Sequence, residues 1–381
     1  MRIGLVADEF NPEGGGAERW VVQFADHLLA VGHEVHVITF RAPAPPPELH
    51  LHLLSDPGDE LGRARAVEAA VDTLGPMVLH DTGTGWSAHV FHPHTGSRLL
   101  SMQREIRSHM SLRRLRAAIS PPLNLRRWRM RQIEQRAAAR ACRVIALSRR
   151  LRGILMARHH LDERTVTVIP NGVDTARFAP ARLAPLRAPE RARLGVGDDT
   201  LCLMVAHNLR LKGFDTALRA LAMLRENGGS PRLAVVGGLP DPLWCELAGR
   251  MGLADRVSVH GPVTDVERFY AAADILLHPT RWDACSLTTI EALVAGLPVV
   301  TTAMNGAADL ITDGTDGFVL PDPEDYRALA ARIAALRDPV LRSAIGQAAQ
   351  AAAVGADIRA NCRAVEAVLA QVAEECQSLS P

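Results

Sequence analysis

Short apolar runs alternate with amphipathic stretches along almost the whole chain. The run RIGLVAD near the N-terminus and the run TLCLMVA from residue 200 are typical of buried strands. The stretch GAERWVVQFADHLLAVG is typical of an amphipathic helix. Because strands that alternate with helices form parallel sheets covered by helices, the pattern predicts an α/β protein with doubly wound sheets.

Two domains are expected from the length of 381 residues, which exceeds what one hydrophobic core usually organises. Between residues 170 and 198 the alternation is interrupted by a segment rich in Pro, Gly, Ala and charged residues. The sequence therefore predicts a hinge there. Each domain would bind its ligand beyond the carboxyl ends of its strands.

Composition indicates the compartment. A net charge of +1, with 48% hydrophobic and 22% charged residues, is usual for a soluble globular protein and excludes a polyelectrolyte. The N-terminus lacks the features of a signal peptide, no apolar run approaches 18 residues, and the six cysteines form no CxxC pair. We therefore expect a cytoplasmic protein with reduced thiols.

One lysine, Lys212, stands among 42 arginines. It lies between a predicted strand and the predicted helix GFDTALRALAML. A cation at the start of a helix opposes the helix dipole, and an ammonium group is a more compact charge than a guanidinium group. The position therefore favours phosphate binding over a lysine without function.

Three consecutive glycines, Gly14, Gly15 and Gly16, separate the first predicted strand from the first predicted helix. Glycines at a helix start let the backbone approach a phosphate group, and a flexible turn is the alternative interpretation. The spacing GxGxxG is absent, which argues against a dinucleotide-binding dehydrogenase.

Two carboxylates, Asp283 and Glu291, stand eight residues apart where a predicted strand leads through a loop into a helix. Carboxylates in such a position can hold ribose hydroxyls. Thr288 and Glu291 also fit a capping box, and Asp283 fits a solvated loop residue. The spacing alone leaves these interpretations open.

Three histidines, His89, His92 and His94, lie close together in HVFHPHTGS. No carboxylate or cysteine stands at ligand spacing beside them, which argues against a metal site. We expect a histidine here to line the site as an acid, a base or a hydrogen-bond donor, with a plain surface histidine as the alternative.

The region from Arg98 to Arg158 is rich in arginine and contains only two acidic residues, Glu105 and Glu134. Such runs are usually solvated faces, but apolar residues between the charges favour docking on an anionic membrane surface. RNA binding is the competing use, and no nucleic-acid partner is expected. The run includes Arg104, Arg107, Arg113, Arg114, Arg116, Arg126, Arg127, Arg129 and Arg131, interleaved with Leu112, Leu115, Ile119, Leu123, Leu125, Trp128 and Met130.

Five stretches in a fixed order give the whole chain a resemblance to the family 4 glycosyltransferases of the GT-B fold. They are GGGAE, VIPNGVDTARF, LKGFDTAL, DACSLTTIEALVAGLPVV and GAADLITDGTDGFVLP. The chain is similar to bacterial enzymes that add sugars to lipopolysaccharide cores or other envelope glycans. The resemblance implies an acceptor-binding Rossmann-like domain over residues 1–175 and a donor-binding one over 176–355, with the site in the cleft between them. It also implies that residues 356–381 return to the first domain, with a helix over 357–376.

The implied activity is a retaining transfer of a hexosyl group from a nucleotide-diphosphate sugar, above all a UDP-sugar, without cofactor or metal. The acceptor would be a saccharide or a lipid-linked molecule, and the enzyme would work in the cytoplasm, at the inner face of the plasma membrane where the arginine region docks.

The resemblance also implies residue roles. Lys212 would hold the donor diphosphate with Arg210 nearby, while Asp283 and Glu291 would bind hydroxyls of the transferred sugar and of the ribose. His94, or in second place His92, would lie on the acceptor side near the reacting carbon. Backbone contacts with the donor are implied for Gly15, Gly16, Gly261 and Val263 and for the amides of Cys285, Ser286 and Leu287.

Three residues depart from the family pattern. Asp283 stands where glutamate is usual, Ser286 where glycine is usual, and His207 where an arginine is common. These departures keep a non-catalytic sugar-nucleotide or RNA-binding relative open as an alternative. A nucleotide-sugar 2-epimerase, which shares the fold and the donor, is the other alternative.

Overall fold

The computed structural model describes residues 1–43, 48–108, 120–226, 231–238 and 241–378. The chain divides into two compact units. The first comprises Met1–Pro170 together with Arg359–Pro381, and the second comprises Asn171–Ile358. The division at residue 170 falls at the start of the predicted hinge.

A parallel sheet of seven strands forms the centre of the first unit, in the order β3-β2-β1-β4-β5-β6-β7. The predicted run RIGLVAD supplies β1, whose side chains are almost entirely buried because helices cover both faces of a parallel sheet. The strands are β1 Arg2–Ala7, β2 Glu34–Thr39, β3 His50–Leu53, β4 Val78–Asp81, β5 Val90–Phe91, β6 Arg143–Ala146 and β7 Val166–Val168. The helices are Gly16–Ala30, Glu60–Leu74, Arg98–Ser108, Pro121–Arg140 and Arg149–His159.

A second parallel sheet, of six strands in the order β10-β9-β8-β11-β12-β13, forms the centre of the second unit. The predicted run TLCLMVA supplies β8 in the middle of this sheet. The strands are β8 Leu201–Val205, β9 Arg232–Val236, β10 Val257–Val259, β11 Ile275–His278, β12 Val299–Thr302 and β13 Phe318–Leu320. The helices are Pro180–Arg193, Phe214–Glu226, Pro242–Arg250, Glu267–Ala272, Leu287–Val294, Tyr326–Ala335 and Pro339–Ala352, with a 3₁₀ helix at Gly306–Leu310.

The last helix, Ile358–Ser378, belongs almost entirely to the first unit, as the predicted fold class requires. The side chain of Asn361 accepts a hydrogen bond of 2.7 Å from Trp20 Nε1 and donates one of 2.6 Å to the carbonyl of Pro170. One turn further along, Glu366 accepts hydrogen bonds from His27 at 2.8 Å and His33 at 3.0 Å. The predicted α/β class with two doubly wound parallel sheets is confirmed.

Candidate functional site

Lys212 lies in a tight turn that follows β8. Asn208 shapes the turn, because its carbonyl accepts from the amide of Lys212 and its side chain accepts from the amide of Leu211, both at 3.0 Å. Gly213 completes the turn with a φ of 77°. A Cβ atom on Gly213 would lie 2.1 Å from the carbonyl oxygen of Pro279, so the turn packs directly against the end of β11.

A buried arginine, Arg281, fixes the same turn from the other side. Its Nη1 donates to the carbonyl of Arg210 at 2.7 Å, and its guanidinium group makes two bonds of 2.8 and 2.9 Å with the carboxylate of Asp215. Bidentate pairs of this kind hold their partners in a defined orientation. Arg281 is not among the residues predicted from the sequence, where its only signal is its position shortly after a buried strand.

Three ionisable side chains meet at the carboxyl ends of β8 and β11. The Nζ atom of Lys212 lies 2.5 Å from Oδ2 of Asp283, and the two side chains are 19% and 17% exposed. Nε2 of His278, which is fully buried, lies 3.3 Å from the same oxygen. Burial by itself would raise the pKa of Asp283, but the charge of Lys212 and the contact with His278 lower that pKa below its ordinary range. Burial lowers the pKa of His278. The structure thus brings predicted residues Lys212 and Asp283 into direct contact, which the sequence analysis did not foresee.

The helix Leu287–Val294 starts at Ser286, whose hydroxyl accepts from the amide of Thr289 at 3.3 Å. The alternative prediction of a capping box formed by Thr288 and Glu291 is therefore wrong. The amide of Ser286 donates to Oδ1 of Asn305 at 3.2 Å. It is therefore already paired, whereas the prediction had it face the donor.

Glu291 is buried in the second turn of this helix and accepts a 2.6 Å hydrogen bond from the hydroxyl of Tyr270. The same hydroxyl lies 3.3 Å from the carbonyl of Thr288. Tyr270 thereby fixes the carboxylate of Glu291 against the start of the helix. Sequence reasoning missed Tyr270 because it belongs to a different helix, 21 residues earlier in the chain.

Cys285 is buried beside this helix start. Its carbonyl accepts a 2.8 Å hydrogen bond from the side chain of Asn171, the asparagine of the motif VIPNGVDTARF. Burial raises the pKa of the Cys285 thiol to about 12, so the thiol is protonated and unreactive at neutral pH. Only the backbone of Cys285 is suited to a role in binding.

The remaining predicted donor residues of the second unit lie around the same sheet. The guanidinium group of Arg210 stacks over the ring of Trp244, 5.1 Å from its centre. Gly261, with a φ of 64°, accepts a 2.7 Å hydrogen bond from the amide of Gly237 and so joins the ends of β9 and β10. Val263 follows in this loop and is half-buried, while His207 is exposed.

In the first unit, Gly15 is the N-cap residue of the helix that begins at Gly16. The side chain of Gly15 is a hydrogen atom, so no side chain caps this helix start. A Cβ atom on Gly15 would come within 2.8 Å of the carboxylate of Glu18, the flexible end of a side chain that can move. Because no side chain caps this helix start and Gly15 is exposed, an anion can approach the backbone amides here.

Three buried histidines stand together in the first unit. His80 Nε2 and His92 Nδ1 are 3.1 Å apart, and the ring centres of His92 and His94 are 4.2 Å apart. The ring of Trp20 lies 4.1 Å from that of His94. Burial lowers the pKa of His80 to about 3 and lowers those of His92 and His94 far below the ordinary value. All three rings are therefore neutral at physiological pH. The third predicted histidine, His89, lies apart and accepts from the amide of Leu79 at 3.0 Å.

A cavity of about 390 Å³ opens at the carboxyl ends of β1 and β4, and His94 lines it. Nε2 of His94 and Oδ1 of Asp8 are buried there, and neither has a hydrogen-bond partner among the described residues. The other oxygen of Asp8 accepts a 2.6 Å bond from Arg98. Because buried polar atoms normally have partners, these two atoms are suited to a ligand.

Glu134 anchors the segment that carries His94. The hydroxyl of Ser97 donates its one hydrogen to the buried carboxylate of Glu134, both of whose oxygens lie 2.9 Å away, and Oε1 lies 3.0 Å from Nε2 of His159. The hydroxyl of Ser97 in turn accepts from the amide of Leu100 at 3.2 Å. In the sequence Glu134 was noted only as an acidic residue in the arginine region.

Within the arginine region, residues 109–119, with Leu112, Arg113, Arg114, Leu115, Arg116 and Ile119, lie outside the described residues. The described helix Pro121–Arg140 exposes Leu125 and Trp128, at 46% and 52%. Arg126 lies beside them and pairs with Glu60 at 2.9 Å. No helix of the described part of the chain has the length and apolar character needed to span a membrane.

Two family models match the chain, one in each unit. Residues 14–177 match the model described as Glycosyltransferase Family 4, and residues 199–338 match the model described as Glycosyl transferases group 1. The chain belongs to the family 4 glycosyltransferases. The second match contains Lys212, Asp283 and Glu291, and the first contains Gly15 and His94.

Relatives of this family 4 member are found among bacterial proteins. It is 33% identical over 228 residues to a D-inositol 3-phosphate glycosyltransferase of Streptomyces griseus, an alignment that covers 53% of the chain and 48% of the relative. It is 33% identical over 182 residues to the lipopolysaccharide glucosyltransferase WaaG of Escherichia coli, covering 47% of the chain and 46% of WaaG. The chain thus spans about half of the length of these two relatives.

The fold of this chain resembles that in a crystal structure of WaaG, a glycosyltransferase involved in lipopolysaccharide biosynthesis. The TM-score is 0.78 at 23% identity, and the match covers 96% of this chain and 99% of that one. The GT-B fold predicted from the sequence is confirmed.

Proposed function

We propose that the protein is a glycosyltransferase that moves a hexosyl group from a nucleotide-diphosphate sugar, preferably a UDP-sugar, to a saccharide or lipid-linked acceptor. The anomeric configuration would be retained, and no metal ion would take part. The lipopolysaccharide glucosyltransferase among the relatives supports a role in the synthesis of envelope glycans.

The observation that carries the proposal is the contact between Lys212 and Asp283, 2.5 Å apart in a turn fixed by Arg281. Negative charge grows on the diphosphate as the glycosidic bond breaks, and a preorganised cation lowers the barrier most where that charge develops. Lys212 is suited to this role, since its ammonium group is compact and its turn is rigid.

We assign the other donor contacts from the hydrogen bonds and positions of the residues around Lys212. We place the ribose hydroxyls at Glu291, whose carboxylate is oriented by Tyr270. When the diphosphate binds the ammonium group of Lys212, the contact between Lys212 and Asp283 would weaken, and Asp283 would accept a hydrogen bond from a hydroxyl of the transferred sugar. The amides of Cys285 and Leu287 at the helix start, together with those of Gly15 and Gly16, would add uncharged stabilisation of the phosphates.

On the acceptor side we propose the cavity lined by His94 and Asp8. Neutral His94 can accept a proton from, or donate a hydrogen bond to, an acceptor hydroxyl, because its Nε2 is buried without a partner among the described residues. The low pKa of His94 argues against a role as a charged acid.

A donor screen on the purified protein tests the proposal. Nucleotide release would be followed with UDP-glucose, UDP-galactose, UDP-N-acetylglucosamine and GDP-mannose in the presence of EDTA, and NMR would give the anomeric configuration of the product. We expect release from a UDP-sugar in EDTA and a product that retains the donor's configuration.

Each contrary outcome identifies a different error. Conversion of the donor into another UDP-sugar without an acceptor would indicate a 2-epimerase. Nucleotide binding without turnover of any donor would indicate a non-catalytic relative. Activity that disappears in EDTA and returns with Mg²⁺ would contradict the metal-independent mechanism.

We also propose that the exposed face around Leu125 and Trp128 docks on an anionic membrane surface. The expected result is that the double variant Leu125→Ser/Trp128→Ser binds vesicles of phosphatidylglycerol and phosphatidylcholine at least about tenfold more weakly, because burying each side chain in the bilayer surface contributes about 1.5–3 kcal/mol. Vesicle sedimentation measures the difference. Val354→Ser, which removes a side chain that is 83% exposed in the second unit, is the matched control. Equal binding of the double variant and the control would exclude this face as the docking surface.

A further inference from the structure

Four side chains with metal-binding groups share one face of the sheet edge in the first unit. Glu34 and His36 are two residues apart on β2, and His50 and His52 are two residues apart on β3, the edge strand. Residues two apart on a strand point to the same face. The register pairs His36 with His50 directly, which places all four side chains on one face.

Three of these side chains offer ligand atoms that converge. One atom each of Glu34, His36 and His50 lies within 4.8 Å of the others. Nε2 of His36 is 3.0 Å from Oε1 of Glu34, and the rings of His36 and His50 stack with centres 4.6 Å apart. Two imidazoles and one carboxylate form a donor set that zinc uses in proteins, with water as a fourth ligand.

The ring of His36 is already oriented for such a role. Its Nδ1 lies 2.9 Å from Nε2 of His52, and its Nε2 accepts a 3.1 Å hydrogen bond from Nε of Arg2. In the tautomer whose Nε2 accepts from Arg2, Nδ1 carries the proton of His36 and donates it to His52, which leaves the lone pair of Nε2 for a metal ion. Metal-binding histidines are typically held in this way, with the second ring nitrogen donating to a neighbour.

A cation already occupies the point of convergence. Nε of Arg2 is 3.2 Å from Oε1 of Glu34 as well as 3.1 Å from His36, so its N–H group lies between the two ligand atoms. The Arg2 side chain is 34% exposed and the Glu34 side chain 49%, and His50 is exposed, so all three can move when another cation enters.

We propose that Glu34, His36 and His50 form a zinc-binding site in which His52 orients His36 and Arg2 competes with the metal. A bound Zn²⁺ ion would join the edge strand β3 to β2 through their side chains. The site lies on the strand faces, apart from the cavity at the carboxyl ends, and its role is structural.

Isothermal titration of the chelator-treated protein with zinc chloride tests the site. We expect one equivalent of zinc to bind and to raise the melting temperature. His50→Ala, at an exposed position, should abolish this binding, and His52→Gln should weaken it by about tenfold or more. Arg2→Gln should tighten it, because the competing cation is removed.

The control is His27→Gln, since His27 and His33 share the carboxylate of Glu366 in a second histidine cluster. That variant should bind zinc as the wild type does. Zinc binding that survives in both His50→Ala and His36→Gln, or the absence of binding at millimolar zinc, would overturn the proposal. The zinc titration does not involve glycosyl transfer, so its result is independent of whether the proposed glycosyltransferase activity is found.

Discussion

A Lys212→Arg variant is expected to lose about 10²–10³-fold in turnover of the nucleotide-sugar donor, equivalent to about 2.7–4 kcal/mol of transition-state stabilisation. The ammonium group of Lys212 sits 2.5 Å from Asp283, in a turn whose backbone is fixed by Arg281 and Asn208. The side chain of arginine is longer and its guanidinium group is planar, so it would displace Asp283 or hold its charge away from the position that the ammonium group takes beside the leaving diphosphate. Steady-state kinetics in EDTA, with the preferred donor, measures the loss as a change in kcat.

The matched control is Arg219→Lys, the reverse exchange at an exposed position of the helix that follows the turn. Its turnover should equal that of the wild type. A Lys212→Arg variant that keeps full activity would contradict the proposed role, and the presence of a single lysine among 42 arginines would then be an accident of composition.

Much of the fold follows from the hydrophobic pattern, because central strands of parallel sheets are continuous apolar runs that a sequence displays directly. β1 and β8 are of this kind. β3 is not, since its four residues alternate between histidine and leucine at the sheet edge, and the prediction passed over it. Edge strands carry less burial and therefore a weaker signal.

Like the fold, the candidate site has parts that the sequence reveals and parts that it does not. The pattern of strand, loop and helix start pointed to Lys212, Asp283 and Glu291 as candidates, because ligands of parallel sheets bind at the carboxyl ends of strands, while the spacing alone left the roles of Asp283 and Glu291 open. The partners of these residues could not be predicted. Tyr270 and Arg281 act through contacts with residues 21 and 71 positions away in the chain, which spacing does not reveal. His278 lies only five residues before Asp283, but it ends a strand that is buried throughout.

The helix start shows how a local motif can mislead. Thr288 and Glu291 have the spacing of a capping box, yet Ser286 caps the helix and leaves Glu291 to accept from Tyr270. Serine has a somewhat higher intrinsic preference than threonine for the capping position, which favours Ser286 over Thr288. The amide of Ser286 is also held by Asn305, a residue 19 positions away that the local motif does not contain.

A Gly213→Ala variant is expected to be destabilised by about 3 kcal/mol, the upper end of the usual range for a single substitution. Two costs add at this position. The φ of 77° is one that alanine rarely adopts, and the new Cβ atom would lie 2.1 Å from the carbonyl oxygen of Pro279, a backbone atom that cannot move aside without shifting the end of β11. The midpoint of urea-induced unfolding, compared with that of the wild type, measures the loss.

Gly195→Ala separates the two costs, because Gly195 has a φ of 61° and no atom within 4 Å of the position of a Cβ atom. That control carries only the conformational cost, about 1–2 kcal/mol. A larger loss at Gly213 than at Gly195 would show that the turn is packed rigidly on β11, which is what the proposed role of Lys212 requires. Equal losses would mean that the turn can move away from Pro279, and the preorganised position of the ammonium group would then have to be abandoned as the basis of catalysis.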